Sequence, residues 1–492
     1  MVFCSALFLF LFLPAVLAIY YLLPRPGRNL LLLVASLIFY AWGSVSALWI
    51  MLASIGLNYL AGLAVERSAQ DRFRQSWILT LTVIANLGML GWFKYACFIE
   101  ELLQPLISAL GLTCPRLPPI ELPIGISFFT FQALSYVVDV ARREVPAQRN
   151  LFDLALYISF LPQLVAGPIV RYFDVAAAIR SRQESLSDFA EGVRRFIMGL
   201  AKKMLLANTM GAVTDLLFHT PDAELTLPLA WLVVVCYALQ IYYDFSGYSD
   251  MAIGLGLMFG FRFLENFNAP YHARSITDFW RRWHLSLSTW FRDYLYIPLG
   301  GNRRGPIRTG LNLLTVFLLC GLWHGANWTF ILWGLFHGFF LVLERAGLQK
   351  FLTRLPAAIG HLYTLLVVLC GWTLFRAQDL TQAAGFYRAM FGMQHTTADS
   401  HLWDTIVDAP LLWILLAAIL CTGSLPQWRE LFGLPTHRTP TADPALGHAG
   451  PLAQPWQLAS ALGSLAALLV LFGVSVMLLA ASSYNPFIYF RF

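Results

Sequence analysis

Long apolar runs make up most of this chain, and polar residues are concentrated in the short stretches between them. The clearest apolar runs lie at positions 5–23, 30–42, 48–64, 77–98, 124–140, 196–218, 229–259, 311–323, 330–343, 362–375, 411–425 and 458–479. A straight transmembrane helix needs roughly 20 apolar residues, so the shorter runs predict tilted or half-length helices. The pattern predicts an all-α polytopic membrane protein with about 11–12 transmembrane helices.

One apolar stretch, 152–170, does not fit a regular series of spans. It lies between basic stretches at 142–149 and 171–195, and a full span would place one of these outside. Its Pro162 and Pro168 interrupt a helix. Non-helical backbone is tolerated at membrane depth only where protein or a cavity surrounds it. We therefore predict a broken, re-entrant segment beside an internal cavity that is entered from the cytoplasm.

Arginine and lysine are distributed unevenly among the loops. Positive clusters lie at 25–28, 67–74 and 142–149. Loops with few positive charges lie at 43–46, 100–123 and 219–226. The positive-inside rule places the amino terminus and the poorly charged loops outside, and the arginine clusters in the cytoplasm.

Composition agrees with a chain that is embedded in lipid. Of its 492 residues, 58% are hydrophobic and 12% are charged, whereas a soluble domain carries roughly 25% charged residues. The net charge of +6 is accounted for by cytoplasmic loops, so no nucleic-acid partner is expected. No cluster has metal-ligand spacing, and no metal or bound cofactor is expected. We predict one membrane domain, 1–492, without an appended soluble domain.

Polar and ionisable residues gather between positions 242 and 338. Asp244 and Asp250 lie near the middle of the apolar run 229–259, next to Tyr243. A charge at membrane depth costs roughly 2.5–3.5 kcal/mol, so such residues face a cavity or a partner. They either brace a neighbouring helix or act on substrate, and Tyr243 and Asp244 are candidate substrate-binding residues.

His324, in the string GLWHGANW, is the first candidate for catalysis. A histidine in an apolar setting is often only a hydrogen-bonded core residue. Three features favour a general base: neighbouring glycines allow close backbone approach, Asn327 adds a polar group for substrate, and neutral imidazole accepts protons near pH 7. The count of spans places His324 toward the extracytoplasmic end of its helix. The short runs on either side leave open a second arrangement, in which two half-length helices meet at mid-depth.

His284 is the second candidate, within WRRWHLSLSTWFRDY. Its neighbours Trp283, Arg282, Ser286 and Asp293 form a dense polar and aromatic patch, and we take them as candidate substrate-binding residues. The patch also fits a basic amphipathic helix at the cytoplasmic interface. Because arginines suit phosphates, the two interpretations are compatible with an acyl donor that carries phosphate groups.

These strings resemble the membrane-bound O-acyltransferases, and among them the bacterial proteins that acetylate alginate. The core motifs lie within 123–345, and the resemblance covers nearly the whole chain. The matching strings are PIGISFFTFQALSYVVDV at 123–140, FLPQLVAGPIVRY at 160–172, YYDFSGYSDMAIGLGLMFGFRFLENFN at 242–268, SITDFWRRWHLSLSTWFRDYLYIPLGGNR at 275–303, GLWHGANWTFILWGLFHG at 321–338 and the terminal NPFIYFRF.

The resemblance implies further expectations. His324 matches the family's membrane-embedded catalytic histidine, and His284 matches its second histidine, which would stabilise an oxyanion or position the donor. It implies helices around a central funnel, with re-entrant and interfacial helices, in the bacterial inner membrane. It implies acetyl-CoA, or another cytoplasmic acyl thioester, as donor. The acceptor side comprises a periplasmic acetyltransferase partner and an extracytoplasmic polysaccharide.

Two alternatives remain at the level of sequence. Relatives in the family acylate cellulose, teichoic acid, lipids or proteins, so the acceptor is open. A proton-coupled transporter would also place Asp244, Asp250 and His324 within the membrane, although no inverted repeat supports that class.

Overall fold

The computed structural model describes residues 1–112, 116–221, 224–393, 401–423, 455–481 and 484–486. Within these ranges the chain forms helices and loops, with no strand. The helices are α1 (Leu13–Leu22), α2 (Arg25–Ala41), α3 (Val45–Arg67), α4 (Arg72–Ala109), α5 (Ile126–Ala141), α6 (Leu151–Ser159), α7 (Tyr172–Arg180), α8 (Leu186–Ala201), α9 (Asn208–Phe218), α10 (Leu227–Met258), α11 (Ile276–Trp280), α12 (Leu285–Phe291), α13 (Gly305–His324), α14 (Trp328–Leu343), α15 (Gln349–Leu352), α16 (Ala357–Arg376), α17 (Leu380–Met390), α18 (His401–Ile406), α19 (Ala409–Leu420) and α20 (Pro455–Ala481). The terminal motif beyond Pro486 lies outside the described residues.

Among the described helices, seven are long and apolar enough to cross a membrane. They are α3, α4, α10, α13, α14 with its continuation to Leu352, α16, and Ala459–Ala481 within α20. Shorter apolar helices cover Phe8–Leu22, Ile126–Ala141 and Ala409–Leu420. The all-α polytopic class is therefore confirmed, whereas the count of 11–12 spans and the funnel remain predictions.

Helix α10 is buried along most of its length and packs closely against α8. A Cβ atom on Gly192 would lie 2.6 Å from the carbonyl oxygen of Gly254, and one on Gly247 would lie 2.7 Å from that of Gly199. Small residues at such positions let two membrane helices approach to backbone contact. The close contact fixes the register of α10, which carries the intramembrane acids.

The two acids of α10 form ion pairs with the α8 segment and its continuation. Asp244 lies 2.7 Å from Lys203, and Asp250 lies 2.6 Å from Lys202 and 2.9 Å from Arg195. A buried charge is tolerated when a partner of opposite sign neutralises it. Of the two interpretations of these acids, the structure supports bracing between helices.

The stretch 152–170 is a broken helix, as predicted. Helix α6 ends at Ser159, and the backbone from 160 to 170 is irregular and buried. The hydroxyl of Tyr157 donates to the carbonyl oxygen of Val170 at 2.9 Å, and the backbone N–H of Leu161 donates to Ser36 at 3.0 Å. These bonds satisfy backbone groups that a helix would otherwise pair.

Helices α13 and α14 form a tight antiparallel hairpin. A Cβ on Gly321 would overlap the carbonyl oxygen of Phe330, and one on Gly334 would overlap that of Phe317. The prediction of two half-length helices is wrong, because α13 starts at Gly305, with Pro306 in its first turn, and is 20 residues long. At 1.5 Å per residue this helix is about 30 Å long, enough to cross a bilayer.

Candidate active site

His324 is the last residue of α13, where the chain leaves the helix and turns into α14. Gly325 follows in an extended conformation, and a Cβ there would overlap the ring of Phe330. The glycines at 321 and 325 therefore allow close approach, as the sequence predicted. The turn fixes His324 at the tip of the hairpin.

Aromatic rings surround the imidazole of His324. The ring centroids of Trp323, Trp333 and Phe375 lie 4.9, 5.1 and 5.0 Å from it. The residue is 6% exposed, and its Nδ1 has no hydrogen-bond partner among the described residues. The indole N–H groups of Trp323 and Trp333 are also buried without a partner there. Buried donors and acceptors without partners are uncommon and mark places where a ligand can bind.

His284 lies between the short helices α11 and α12. Its φ of 47° and ψ of 55° are left-handed, a strained conformation for a residue with a side chain. Both Trp283 and His284 are buried, at 4% and 1% exposure. The interpretation of this stretch as one amphipathic interfacial helix is therefore wrong, since the chain breaks at His284 and turns its ring into the protein.

A hydrogen-bond network fixes which nitrogen of His284 carries its proton. The Nδ1 atom lies 3.1 Å from Oδ1 of Asn266, and the same oxygen accepts from the backbone N–H of Ser286 at 3.2 Å. The amide nitrogen of Asn266 donates to Ser249 at 3.0 Å. Because a backbone N–H can only donate, Oδ1 is an acceptor, so Nδ1 of neutral His284 carries the proton. Its Nε2 is left bare, buried and without a partner among the described residues.

Trp323 connects the two histidines. Its ring centroid lies 4.9 Å from that of His324 and 6.5 Å from that of His284. The structure thus places both predicted catalytic residues around one indole, although 40 positions separate them in the sequence.

Two cavities lie near the histidines, one at the start of α5 and one beside α11, α12 and α13. The His324 cavity, about 320 Å³, lies at the start of α5 and is lined by residues that include Lys94, Ser127, Val165, Trp323 and His324. It adjoins the loop predicted to be extracytoplasmic. The irregular stretch 160–170 therefore borders, through Val165, a cavity at the end opposite to the cytoplasmic one that we predicted.

The arginine-lined cavity, about 480 Å³, lies beside α11 and α12 and contains Arg281 and Arg292. Arg292 pairs with Asp293 at 2.7 Å, and Asp293 pairs with Arg171 at 2.8 Å. Arg142, the residue that ends α5, donates to the carbonyl oxygen of Asp293 at 3.0 Å. Through Arg292 this cavity borders the arginine-rich end, which the positive-inside rule places in the cytoplasm, and it extends along α13 to Cys320.

The structure brings only part of the predicted substrate-binding set to the histidines. Ser286 contacts the His284 network, with its hydroxyl 2.9 Å from Oδ1 of Asn266. Trp283 packs on Trp372 at 4.9 Å, beside His284 but facing α16. Asn327 caps α14 and donates to the carbonyl oxygen of Gln378.

The remaining members form structural contacts away from the histidines. Tyr243 donates to the carbonyl oxygen of Ala418 at 2.5 Å, and Asp244 pairs with Lys203. Arg282 pairs with Asp278 at 2.9 Å within its own segment. Asp293 pairs with Arg171 and Arg292 in the arginine cluster described above.

Several residues at the site do not stand out in the sequence. Asn266 and Ser249 orient His284, and nothing in their local sequence distinguishes them from other buried polar residues. Lys94 carried a usable signal, because it is the only charged residue between Arg74 and Glu100 in an otherwise apolar helix.

The fold and the site together define a class, namely a polytopic helical membrane protein with two buried histidines on either side of one indole and two cavities nearby. Residues 34–370 match the model of the MBOAT, membrane-bound O-acyltransferase family. The chain belongs to this family and is an O-acyltransferase.

Named relatives align along the whole chain. It is 44% identical to the probable alginate O-acetylase of Azotobacter vinelandii and 42% identical to that of Pseudomonas aeruginosa, over 100% of each chain. It is 35% identical to the peptidoglycan O-acetyltransferase of Helicobacter pylori, over 80% of each chain.

Proposed function

We propose that this enzyme transfers an acetyl group from acetyl-CoA, or a related acyl thioester, across the bacterial inner membrane. The acetyl group serves O-acetylation of an alginate-like polysaccharide outside the membrane, with a periplasmic acetyltransferase as partner. The relatives aligned over their full length, whose names specify alginate O-acetylation, support the acceptor. The loop charges, which favour a cytoplasmic location for the arginine-rich end, support the proposed direction of transfer.

The arginine-lined cavity is our candidate for the donor site. The guanidinium groups of Arg281 and Arg292 line it, and both residues are exposed. Guanidinium groups form paired hydrogen bonds with phosphate, which coenzyme A carries. A thioester held there would extend its acetyl end toward α12 and the histidines.

A layer of aromatic residues lies between the two cavities and gives the main support for this proposal. Trp280 lines the arginine-lined cavity, its ring centroid lies 5.7 Å from that of Trp333, and Trp333 lies 5.1 Å from His324. The indole N–H groups of Trp280 and Trp333 and Nδ1 of His337 are all buried without partners among the described residues. Unpartnered buried polar groups cost free energy, and a passing acetyl carbonyl would offer them an acceptor.

The proposed reaction is direct transfer with His324 as general base. The acceptor hydroxyl enters through the His324 cavity, gives its proton to the imidazole, and its oxygen attacks the thioester carbonyl carbon. The indole N–H groups of Trp323 and Trp333 donate to the oxygen that becomes negative in the tetrahedral intermediate. The C–S bond then breaks, coenzyme A leaves as thiolate and takes up the proton, and the acetyl ester remains on the acceptor.

The His284 network changes the role that we assign to this residue. In its neutral form the only N–H of the ring donates to Asn266, so His284 has no donor for an oxyanion. Its bare Nε2 can accept a hydrogen bond or a proton. We therefore assign His284 to orienting the acceptor hydroxyl, through a hydrogen bond accepted at Nε2, while His324 takes the proton.

Sealed proteoliposomes test the proposal. Acetyl-labelled acetyl-CoA is supplied to the arginine-rich side, with the periplasmic partner and alginate on the other side. We expect label in the polysaccharide with wild-type protein and none with His324→Ala. Transfer across the membrane would be contradicted if correctly oriented wild-type protein released free CoA while the acetyl label stayed on the donor side, as it does with His324→Ala.

A further inference from the structure

Lys94 is the only charged residue between Arg74 and Glu100 of α4, a helix with few buried residues. Helix α4 is 38 residues long, and only three of its residues, Thr82, Asn86 and Leu90, are fully buried. Ionisable residues within membrane helices are costly and commonly mark a function. The ammonium group of Lys94 lies in the wall of the His324 cavity and donates to the carbonyl oxygen of Trp323.

Lys94 differs from the other intramembrane cations in its lack of a carboxylate partner. Lys202 and Lys203 pair with Asp250 and Asp244 at 2.6 and 2.7 Å. Across the described ranges, no aspartate or glutamate forms an ion pair with Lys94, and none lines the His324 cavity. A partly buried ammonium group therefore faces a cavity of about 320 Å³ without a counter-ion.

Other groups at this cavity also favour negative charge. Helix α5 begins at its wall, and the N–H groups of Ile126 and Phe128 donate to backbone carbonyl oxygens there. The N-cap residue Gly125 has no side chain to accept from the N–H of Ser127. Gly125 has φ of +75°, and a Cβ there would overlap the carbonyl oxygen of Leu164. The amino end of a helix carries partial positive charge and binds anions. The hydroxyl of Ser127, in the first turn, adds a hydrogen-bond donor at the cavity.

We infer that Lys94 binds an anionic group of the acyl acceptor, a sugar carboxylate such as that of a uronic acid, in the His324 cavity. This inference rests on the proposed function and deepens it, since it specifies how the acceptor is selected. The carboxylate is the counter-ion that Lys94 lacks, and His324 lines the same cavity. A uronate bound there presents its ring hydroxyls near the imidazole.

The alternative is that Lys94 only caps the end of α13. Tyr95 provides the matched control, because its hydroxyl donates to the neighbouring carbonyl oxygen of Leu322 at 2.6 Å. Tyr95→Phe removes a capping bond of the same helix end while leaving the cavity charge unchanged. Lys94→Met removes both the bond and the charge, and Lys94→Arg retains both.

The test measures sugar binding to the purified full-length protein in nanodiscs without donor, by titration calorimetry. The probes are three trisaccharides: one of uronic acid, one of neutral hexose and one that carries a phosphate. We expect wild-type protein to bind the uronic acid probe at least about tenfold more tightly than the neutral one, as for a charge-assisted hydrogen bond. Lys94→Met abolishes this preference, whereas Lys94→Arg and Tyr95→Phe retain most of it.

Three results would overturn the inference: no preference for the uronic acid in wild-type protein, a preference that survives Lys94→Met, or an equal loss in Tyr95→Phe. Tighter binding of the phosphate probe would overturn the assignment to a carboxylate. Because the assay contains no donor, its failure is separable from failure of the proposed function, which would appear as a lack of CoA release that depends on His324.

Discussion

At the scale of single residues, the orientation of one amide decides which nitrogen of His284 carries the proton. Asn266 is fully buried and accepts from both Nδ1 of His284 and the backbone of Ser286. The amide nitrogen of Asn266 donates to the hydroxyl of Ser249, which fixes the orientation of the amide. Asn266 and its partners thus determine which nitrogen of His284 lacks a proton, and we propose that Asn266 is a positioning residue.

Replacement of Asn266 tests this positioning role. Asn266→Leu frees the imidazole to change tautomer, and we expect a fall in kcat of about 100-fold with little change in KM. Asn266→Asp still accepts from Nδ1, so activity recovers substantially and the pH profile shifts. Steady-state CoA release across pH measures both. Equal loss in the two variants would show that Asn266 matters only for folding.

The unpartnered indole of Trp333 makes a second residue-scale prediction. Trp333→Phe keeps the ring but removes the N–H, and loss of one oxyanion donor lowers kcat by about 100-fold. Trp372 is the control, because it is buried to the same 1% exposure but its N–H donates to Tyr271 at 3.1 Å. Trp372→Phe should affect thermal stability more than kcat. The reverse order would contradict the role of Trp333.

At the scale of elements, the hairpin of α13 and α14 holds His324 in place through glycine contacts. Gly321 and Gly334 face carbonyl oxygens across the hairpin, so any side chain there forces the helices apart. The histidine at the tip depends on this contact for its depth and direction.

Substitution of Gly321 by alanine tests how much this glycine contact contributes to stability. Gly321→Ala should destabilise the protein by about 1–3 kcal/mol, since overpacking displaces the neighbouring backbone. Gly310→Ala on the same helix is the control, because its Cβ would lie 3.6 Å from the nearest atom of Val342, an ordinary contact. Thermal unfolding in detergent compares the two. A Gly321→Ala variant as stable as Gly310→Ala would show that the hairpin can open without cost.

Predictions from the sequence were most accurate for elements that are determined by nearby residues along the chain. The broken segment at 152–170 was predictable from its two prolines and flanking charges, and both catalytic candidates from their motifs. The extent of α13 was not, because its first turn is polar and a hydrophobic run cannot reveal it. The network around His284 was also not predictable, since it joins α10, the loop at 266 and α12 only after folding.

At the scale of the whole molecule, ion pairs between α10 and the α8 segment hold charges at membrane depth. Lys203 and Asp244 are 2% exposed each, and Lys203 also donates to the carbonyl oxygen of Pro486 near the carboxyl terminus. The acids that suggested a proton path in a transporter are thus neutralised by neighbouring cations.

Removing one partner of the Lys203–Asp244 pair should destabilise the protein more than removing both. Lys203→Met removes the cation that pairs with Asp244, and Asp244→Leu removes the anion that pairs with Lys203. Each variant should lose about 3–5 kcal/mol of stability. The double variant Lys203→Met with Asp244→Leu should recover much of this loss, because no uncompensated charge remains. A double-mutant cycle on thermal unfolding tests the coupling. Additive losses would show that the two residues do not stabilise each other.

We propose that His324, at the tip of the hairpin, is the general base of acyl transfer. The most direct test of this role is release of free coenzyme A from acetyl-CoA by the purified protein, together with partner and acceptor, in wild type and His324→Ala. His272→Ala, a substitution of an exposed histidine, is the control. We predict that His324→Ala lowers the rate at least about 100-fold while His272→Ala does not. Undiminished release from a folded His324→Ala variant would contradict the account.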